Sequence, residues 1–175
     1  MVVVVEPAQP TDLAGYADRS WLLHPAECHL PRITAMWERC SLATRIARFH
    51  APVRKIPASY LKTMLSDPST SLVAVRGQAG AVVALASLVP ADCRSAELGV
   101  LVEDAWQRHG IGRQLVARLI AAARASQVTE LTASVLAENA RVADLLRQVP
   151  GDFSLTRDGT VLNVRVRLHE PAACA

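Results

Sequence analysis

Residues 96–125, AELGVLVEDAWQRHGIGRQLVARLIAAARA, constrain the fold more than any other stretch of the chain. Leu98, Gly99, Val100, Leu101 and Val102 form a short apolar, β-branched run that predicts a buried strand. Leu115, Val116, Leu119, Ile120 and Ala123 recur at helical spacing, with Arg113, Arg118 and Arg124 on the other sides. Between strand and helix stand Gln107, Arg108, His109, Gly110, Ile111 and Gly112. Such a turn can aim unpaired backbone N–H groups, and the positive end of a helix dipole, at one anion, typically a phosphate.

Three phosphate loops can be weighed against this turn. A P-loop requires Gly-Lys-Ser/Thr, whereas Arg113 and Gln114 follow Gly112. A dinucleotide fingerprint requires a small residue where Leu115 stands. The Gln/Arg-x-x-Gly-x-Gly/Ala loop for the coenzyme A pyrophosphate is met in full by Gln107, Gly110 and Gly112. In these residues the chain resembles the GNAT superfamily of acyl-CoA-dependent N-acyltransferases.

The remaining pattern predicts a strand at residues 2–6 and a first helix from Leu13. Residues 21–31 read as irregular, 33–49 as helical until Pro52, and 57–65 as a short helix. Strands at 71–76, 81–89 and 95–103 make a meander. Another strand follows at 130–137, then a helix from Glu138 to about Val149. A last hairpin, 153–157 with 160–168, turns at Asp158-Gly159. The expected fold is therefore α/β, a mixed, mostly antiparallel sheet of about seven strands flanked by helices, which is also the GNAT order. One domain is expected over residues 1–168, with a tail at 169–175.

A closer likeness lies in residues 41–49, SLATRIARF, similar to a Ser-x-x-Ser/Thr-x-x-x-Arg-Phe segment of bacterial Pat-type protein lysine acetyltransferases. Residues 135–139, VLAEN, and the following helix with Arg141 and Arg147 resemble the same enzymes. As residues alone, Arg45 and Arg48 equally fit a solvated helix face. Those relatives usually carry a further regulatory or synthetase-like domain, for which 175 residues are expected to leave no room.

The resemblance implies transfer of acetyl from acetyl-CoA to a primary amine, with a protein lysine ahead of a small amine. A lysine-type amine, with a pKa of about 10.4, must lose a proton before it attacks. The resemblance places the base at Glu97, and Ala96, Leu98 and Val100 are expected to desolvate it; by strand alternation Glu97 shares a face with Gly99 and Leu101. A surface carboxylate at a strand end is the plain alternative. Backbone of Val100, Leu101 and Val102 is expected to pair with the pantetheine arm. Backbone of Arg108, His109, Gly110, Ile111, Gly112 and Arg113 falls to the pyrophosphate. Asn139 matches a cofactor contact of many relatives and equally fits a helix N-cap. Many relatives place an acidic tyrosine seven residues later, where Leu146 stands here, so the group that protonates the thiolate is left open. Glu103 and Asp104 read as turn caps or solvated carboxylates.

The net charge of +3 suits an anionic co-substrate, while 4% aromatics and the lack of a basic-aromatic run argue against nucleic acid. His24, Cys28 and His29 make the one metal-like grouping, and no metal is expected. No apolar run spans a membrane and residues 1–5 are too short for a signal peptide, so a cytoplasmic place is expected. Dimers are frequent in the superfamily, and the apolar last hairpin is a candidate interface.

Overall fold

A computed structural model describes residues 20–76 and 80–169. The strand expected at residues 2–6, the helix expected from Leu13 and the end of the tail lie outside the described residues. Seven strands form one sheet in the order β1-β2-β3-β4-β5-β7-β6. They are β1 (Ser20–Leu23), β2 (Ser71–Arg76), β3 (Ala81–Pro90), β4 (Ser95–Val102), β5 (Glu130–Leu136), β6 (Gly151–Asp158) and β7 (Val161–Leu168). All neighbouring pairs are antiparallel except β4 with β5. The connection between those two passes through a helix, as a parallel pair requires.

Helices α4 (Ile111–Ala125) and α5 (Arg141–Arg147) cover one face; α1 (Leu30–Arg39), α2 (Leu42–Phe49) and α3 (Ala58–Ser66) cover the other. The sheet face under α4 is met by Ile111, Leu115, Val116, Leu119, Ile120 and Ala123, all buried. Their spacing of three, four and one residues is the helical stripe legible in the sequence. Burying each large one contributes roughly 1.5–3 kcal/mol.

Three expectations are corrected. Residues 21–31 are not wholly irregular, because β1 pairs Trp21 with Val75 and Leu23 with Val73. The helical stretches read at 33–49 form two helices, but the first starts before Ile33. Pro31 sits in the first turn of α1, where its missing N–H costs nothing. The second ends at Phe49 as read, where His50 turns left-handed (φ 53°). Lastly, β4 stops at Val102, and a short 3-10 turn, Asp104–Trp106, leads into the glycine loop.

Candidate active site

The parallel β4–β5 ladder is short: Ser95 with Glu130, Ala96 with Leu131 and Glu97 with Thr132. Beyond Glu97 the two strands part, so β4 keeps its β3 ladder through Val102 while its other edge opens into a cleft. The β3–β4 register is continuous from Pro90–Ala96 to Ala84–Val102, so no bulge re-aims the residues around Gly99. Strand alternation then holds as read. Leu101 joins the core beneath α1–α3, and Leu98 joins the core beneath α4 and α5. Glu97 and Gly99 therefore face the α1–α3 side.

The cleft has a volume of about 680 Å³ and ends at the first turn of α4. Glu97, Val100, Leu101, Val102, Gln107, Arg108, Gly110, Gly112, Arg113 and Asn139, all expected site residues, line it together. Ile111 and His109 do not. The Ile111 side chain is 1% exposed and belongs to the core, and the His109 ring turns to the Gln107 carbonyl (2.8 Å) and the Trp106 ring. Only their backbone remains available to an anion.

The loop has the geometry of an anion cradle. Gly110 is the N-cap of α4 with φ 77°, and no side chain caps the helix, so its first N–H groups have no protein partner there. Arg108 is held at φ 67°, an uncommon conformation for a non-glycine residue. A Cβ at Gly112 would make ordinary contact with Val102 (3.7 Å) and Leu145 (3.8 Å), which explains why glycine or alanine serves at that place.

The Gln107 side chain also has partners in the protein. Its Nε2 donates to the Val102 carbonyl (3.1 Å) and lies 3.2 Å from Thr44 Oγ1, while Oε1 accepts from Arg141 (3.0 Å). The side chain clamps α2, β4 and α5 together at the cleft it lines. One carbonyl of the strand edge offered to pantetheine, that of Val102, is thereby already engaged.

The two acidic residues after β4 also depart from a solvated reading. Glu103 is 6% exposed and receives Arg39 Nε (2.9 Å) and Nη2 (2.7 Å), while the same Nη2 reaches the Val82 carbonyl (2.8 Å). Asp104 accepts from the Ser41 N–H (2.8 Å), the Ser41 hydroxyl (2.7 Å) and the Thr44 hydroxyl (2.8 Å). It thus caps α2 from outside, joined by Ser41 itself, whose Oγ accepts from Thr44 N. Burial pulls the Asp104 carboxyl up, but the bonds from Ser41 and Thr44 outweigh it and hold the group below its usual range.

Glu97 is exposed in the cleft mouth. The desolvation expected from its neighbours is not built, because Ala96 and Leu98 point into the opposite core. Asn139 lies in the short turn Ala137–Asn139, and the N-cap of α5 is Ala140, so Asn139 is not the cap. Leu146 is fully buried, so its position cannot supply an acid.

Sequence reasoning missed Arg141 as a cleft residue, and it left Arg48 open to a solvated reading that the structure overturns. Arg48 lies inside the cleft with its Nε shielded from solvent. Arg45 is tied back to the Cys40 (3.0 Å) and Glu38 (3.0 Å) carbonyls and stacks on Trp37. The signal for Arg48 was the Arg-Phe pair ending residues 41–49. Arg141 was named only within the helix that resembles the Pat-type enzymes, with nothing local to place it in the cleft. His24 and His29 are engaged with Ser71 O (3.2 Å) and Ala26 N (3.0 Å), and among the described residues no cluster suits a metal ion.

Residues 31–149 match the acetyltransferase (GNAT) family. The chain belongs to that family. Its acetyl donor is acetyl-CoA. The GNAT domain of Streptomyces lividans Pat is similar in structure (TM-score 0.72, 20% identity), over 84% of this chain and 89% of that one. A GNAT superfamily phosphinothricin acetyltransferase from Sinorhizobium meliloti, solved with acetyl-CoA, has a TM-score of 0.68 at 17% identity, over 89% and 92%. The Salmonella typhimurium protein yncA, also solved with acetyl-CoA, reaches 0.64 at 20% identity, over 90% and 98%. A search of curated proteins by sequence finds no match. At these identities the likeness speaks for the fold, and the enzyme class comes from the family.

Proposed function

We propose that this GNAT acetyltransferase moves the acetyl group of acetyl-CoA onto a protein lysine in the cytoplasm, with Glu97 as the base. One observation carries the proposal. The open edge of β4 runs from Glu97 at one end to the uncapped N-terminus of α4 at the other. A pantetheine arm laid along that edge as an added strand would bring its pyrophosphate to the backbone of residues 108–113. Its thioester would then lie near Gly99 and Glu97. The guanidinium groups of Arg108, Arg113 and Arg141 line the loop end and can add charge-assisted bonds to phosphate.

The chemistry then needs few parts. Glu97 takes a proton from the bound ammonium, directly or through water, and the free amine attacks the thioester carbonyl. A backbone N–H of β4 stabilises the oxyanion. Collapse expels the thiolate, whose pKa of about 8.5 lets it leave without a strong acid, and the nitrogen gives its second proton to solvent or to that thiolate, leaving the neutral amide.

The lining of the cleft favours a protein over a polycationic small amine. Glu97 and Asp144 are its carboxylates, against Arg48, Arg108, Arg113 and Arg141. A polyamine or aminoglycoside would meet more positive charge than negative. Among the described residues Glu97 is exposed, so a lysine on a protein surface can reach it. Self-association through the last hairpin finds little apolar surface: Phe153 is half-buried under Arg147, and Leu155 is the large apolar side chain left exposed there. Among the described residues no helix is long and apolar enough to cross a membrane.

The test is a transfer assay with acetyl-labelled acetyl-CoA and a cytosolic extract, separating protein from small molecules. Label in protein lysines is the expected result. Label confined to small molecules would replace the acceptor, and bound CoA without any transfer would overturn the enzymatic reading.

A further inference from the structure

Arg48 is a cation held in the cleft with no anion paired to it among the described residues. Its guanidinium lies 4.9 Å from the Phe49 ring centroid and 4.8 Å from that of Tyr60. Its Nε is shielded from solvent and has no acceptor, and no carboxylate among the described residues pairs with it. Aromatic faces steady a guanidinium, but they leave its hydrogen-bonding fork unused.

The surroundings are built to keep that fork in place. A Cβ on Gly99 would overlap the Arg48 guanidinium, so the bare backbone of β4 is what lets the charge lie against the strand. Ser87 is the register partner of Gly99 on β3, and its hydroxyl is 3.0 Å from the Tyr60 hydroxyl, which anchors the stacked ring to the same point of the sheet. Phe49 is held edge-on between Trp37 (5.6 Å) and Tyr60 (5.4 Å). Glu97 stands two residues before Gly99 on the same face, roughly 7 Å away along the strand, and no ion pair joins it to Arg48. The cations suited to the phosphates, Arg108, Arg113 and Arg141, lie at the other end of the cleft.

We propose that Arg48 binds a carboxylate carried by the acceptor, a few ångströms from the amine that Glu97 deprotonates. The inference rests on the amine-acetylation reading above and narrows its acceptor. A preorganised guanidinium freed from its own protein's carboxylates is the fit for a bidentate carboxylate. Two sources supply that chemistry: an acidic side chain beside the acceptor lysine of a protein, or the α-carboxylate of a free amino acid.

The experiment compares kcat/KM for two matched acceptor pairs in the wild type, Arg48→Met and Arg48→Lys. One pair is an end-blocked lysine peptide with glutamate or glutamine beside the lysine, and the other is alanine and alaninamide. Dividing the wild-type acid-to-amide ratio by the Arg48→Met ratio removes intrinsic reactivity. The quotient is expected to be roughly tenfold to a hundredfold in one pair, the size of a charged hydrogen bond, and smaller when Arg48→Lys replaces Arg48→Met. A large quotient in the peptide pair names a protein acceptor, and in the alanine pair a free amino acid; either supports the inference. A quotient within twofold of one in both pairs overturns it, as does an equal loss on acid and amide. Should the wild type acetylate none of the four, the transfer reading fails by itself. Calorimetric binding of the same pairs to the CoA-saturated protein then decides the inference: acid-selective binding abolished in Arg48→Met upholds it, and indifference to the carboxylate overturns it.

Discussion

Arg141 on α5 donates to the side-chain oxygen of Gln107 at 3.0 Å, which ties a helix that flanks the cleft to the loop that closes it. The nitrogen of the same amide reaches the Val102 carbonyl and Thr44, so one side chain links three elements. Gln107→Ala removes all of these bonds while leaving the loop backbone in place. Such bonds each contribute about 0.5–1.5 kcal/mol net, so acetyl-CoA affinity is expected to fall roughly threefold to tenfold with the fold intact. Calorimetric titration checks it, and an unchanged Kd would contradict the clamp.

The two loop glycines differ in what they tolerate. Gly110 has open space around it but stands at φ 77°, so Gly110→Val is expected to destabilise by about 1–2 kcal/mol through backbone strain. Gly112 has helical backbone and room for one carbon, so Gly112→Ala is expected to keep acetyl-CoA binding and to gain up to about 1 kcal/mol. Urea unfolding of both variants measures the difference. Equal losses would mean that conformation at Gly110 is not what the glycine supplies.

Much of this site was legible because its determinants are local. The apolar period of α4 and the glycines before it declare themselves within a few residues; the last hairpin does so nearly, its turn falling at Gly159-Thr160, one residue beyond the Asp158-Gly159 pair. What was missed depends on distant partners. The four residues of β1 become a strand only by pairing with β2, some fifty residues on. Arg48 could be read as a solvated face because nothing in its own helix announces Gly99. Glu103 reads as a surface carboxylate until Arg39 is brought beside it. Asn139 was legible as a cleft residue, but only the short turn before α5 separates it from the cap position.

The cap that Asp104 places on α2 predicts an acid-sensitive tie. Its carboxyl is held below the ordinary 3.8 in the folded chain, so it stabilises fully above that value and stops doing so as pH falls through the lower folded one. Asp104→Ala is expected to lose about 1 kcal/mol between pH 5 and 8, the size of a helix cap. Below about pH 4 its stability should converge with that of the wild type. Urea midpoints across the pH series read this directly, and a gap that persists undiminished at pH 3 would contradict it.

Glu97 decides the account of catalysis. In Glu97→Gln the cleft and the loop are untouched, so acetyl-CoA is expected to bind within twofold of the wild type. The variant's kcat/KM toward an acceptor amine at pH 7 should fall about a hundredfold or more, the usual worth of a general base. The deficit should shrink as pH approaches the amine's own pKa of about 10.4, where the acceptor no longer needs a proton removed. The measurement is therefore the pH profile of acetyl transfer by Glu97→Gln beside the wild type, with acetyl-CoA affinity taken on the same samples. A large loss at pH 7 that closes in alkali is the predicted result; turnover within twofold of the wild type at pH 7 would contradict it.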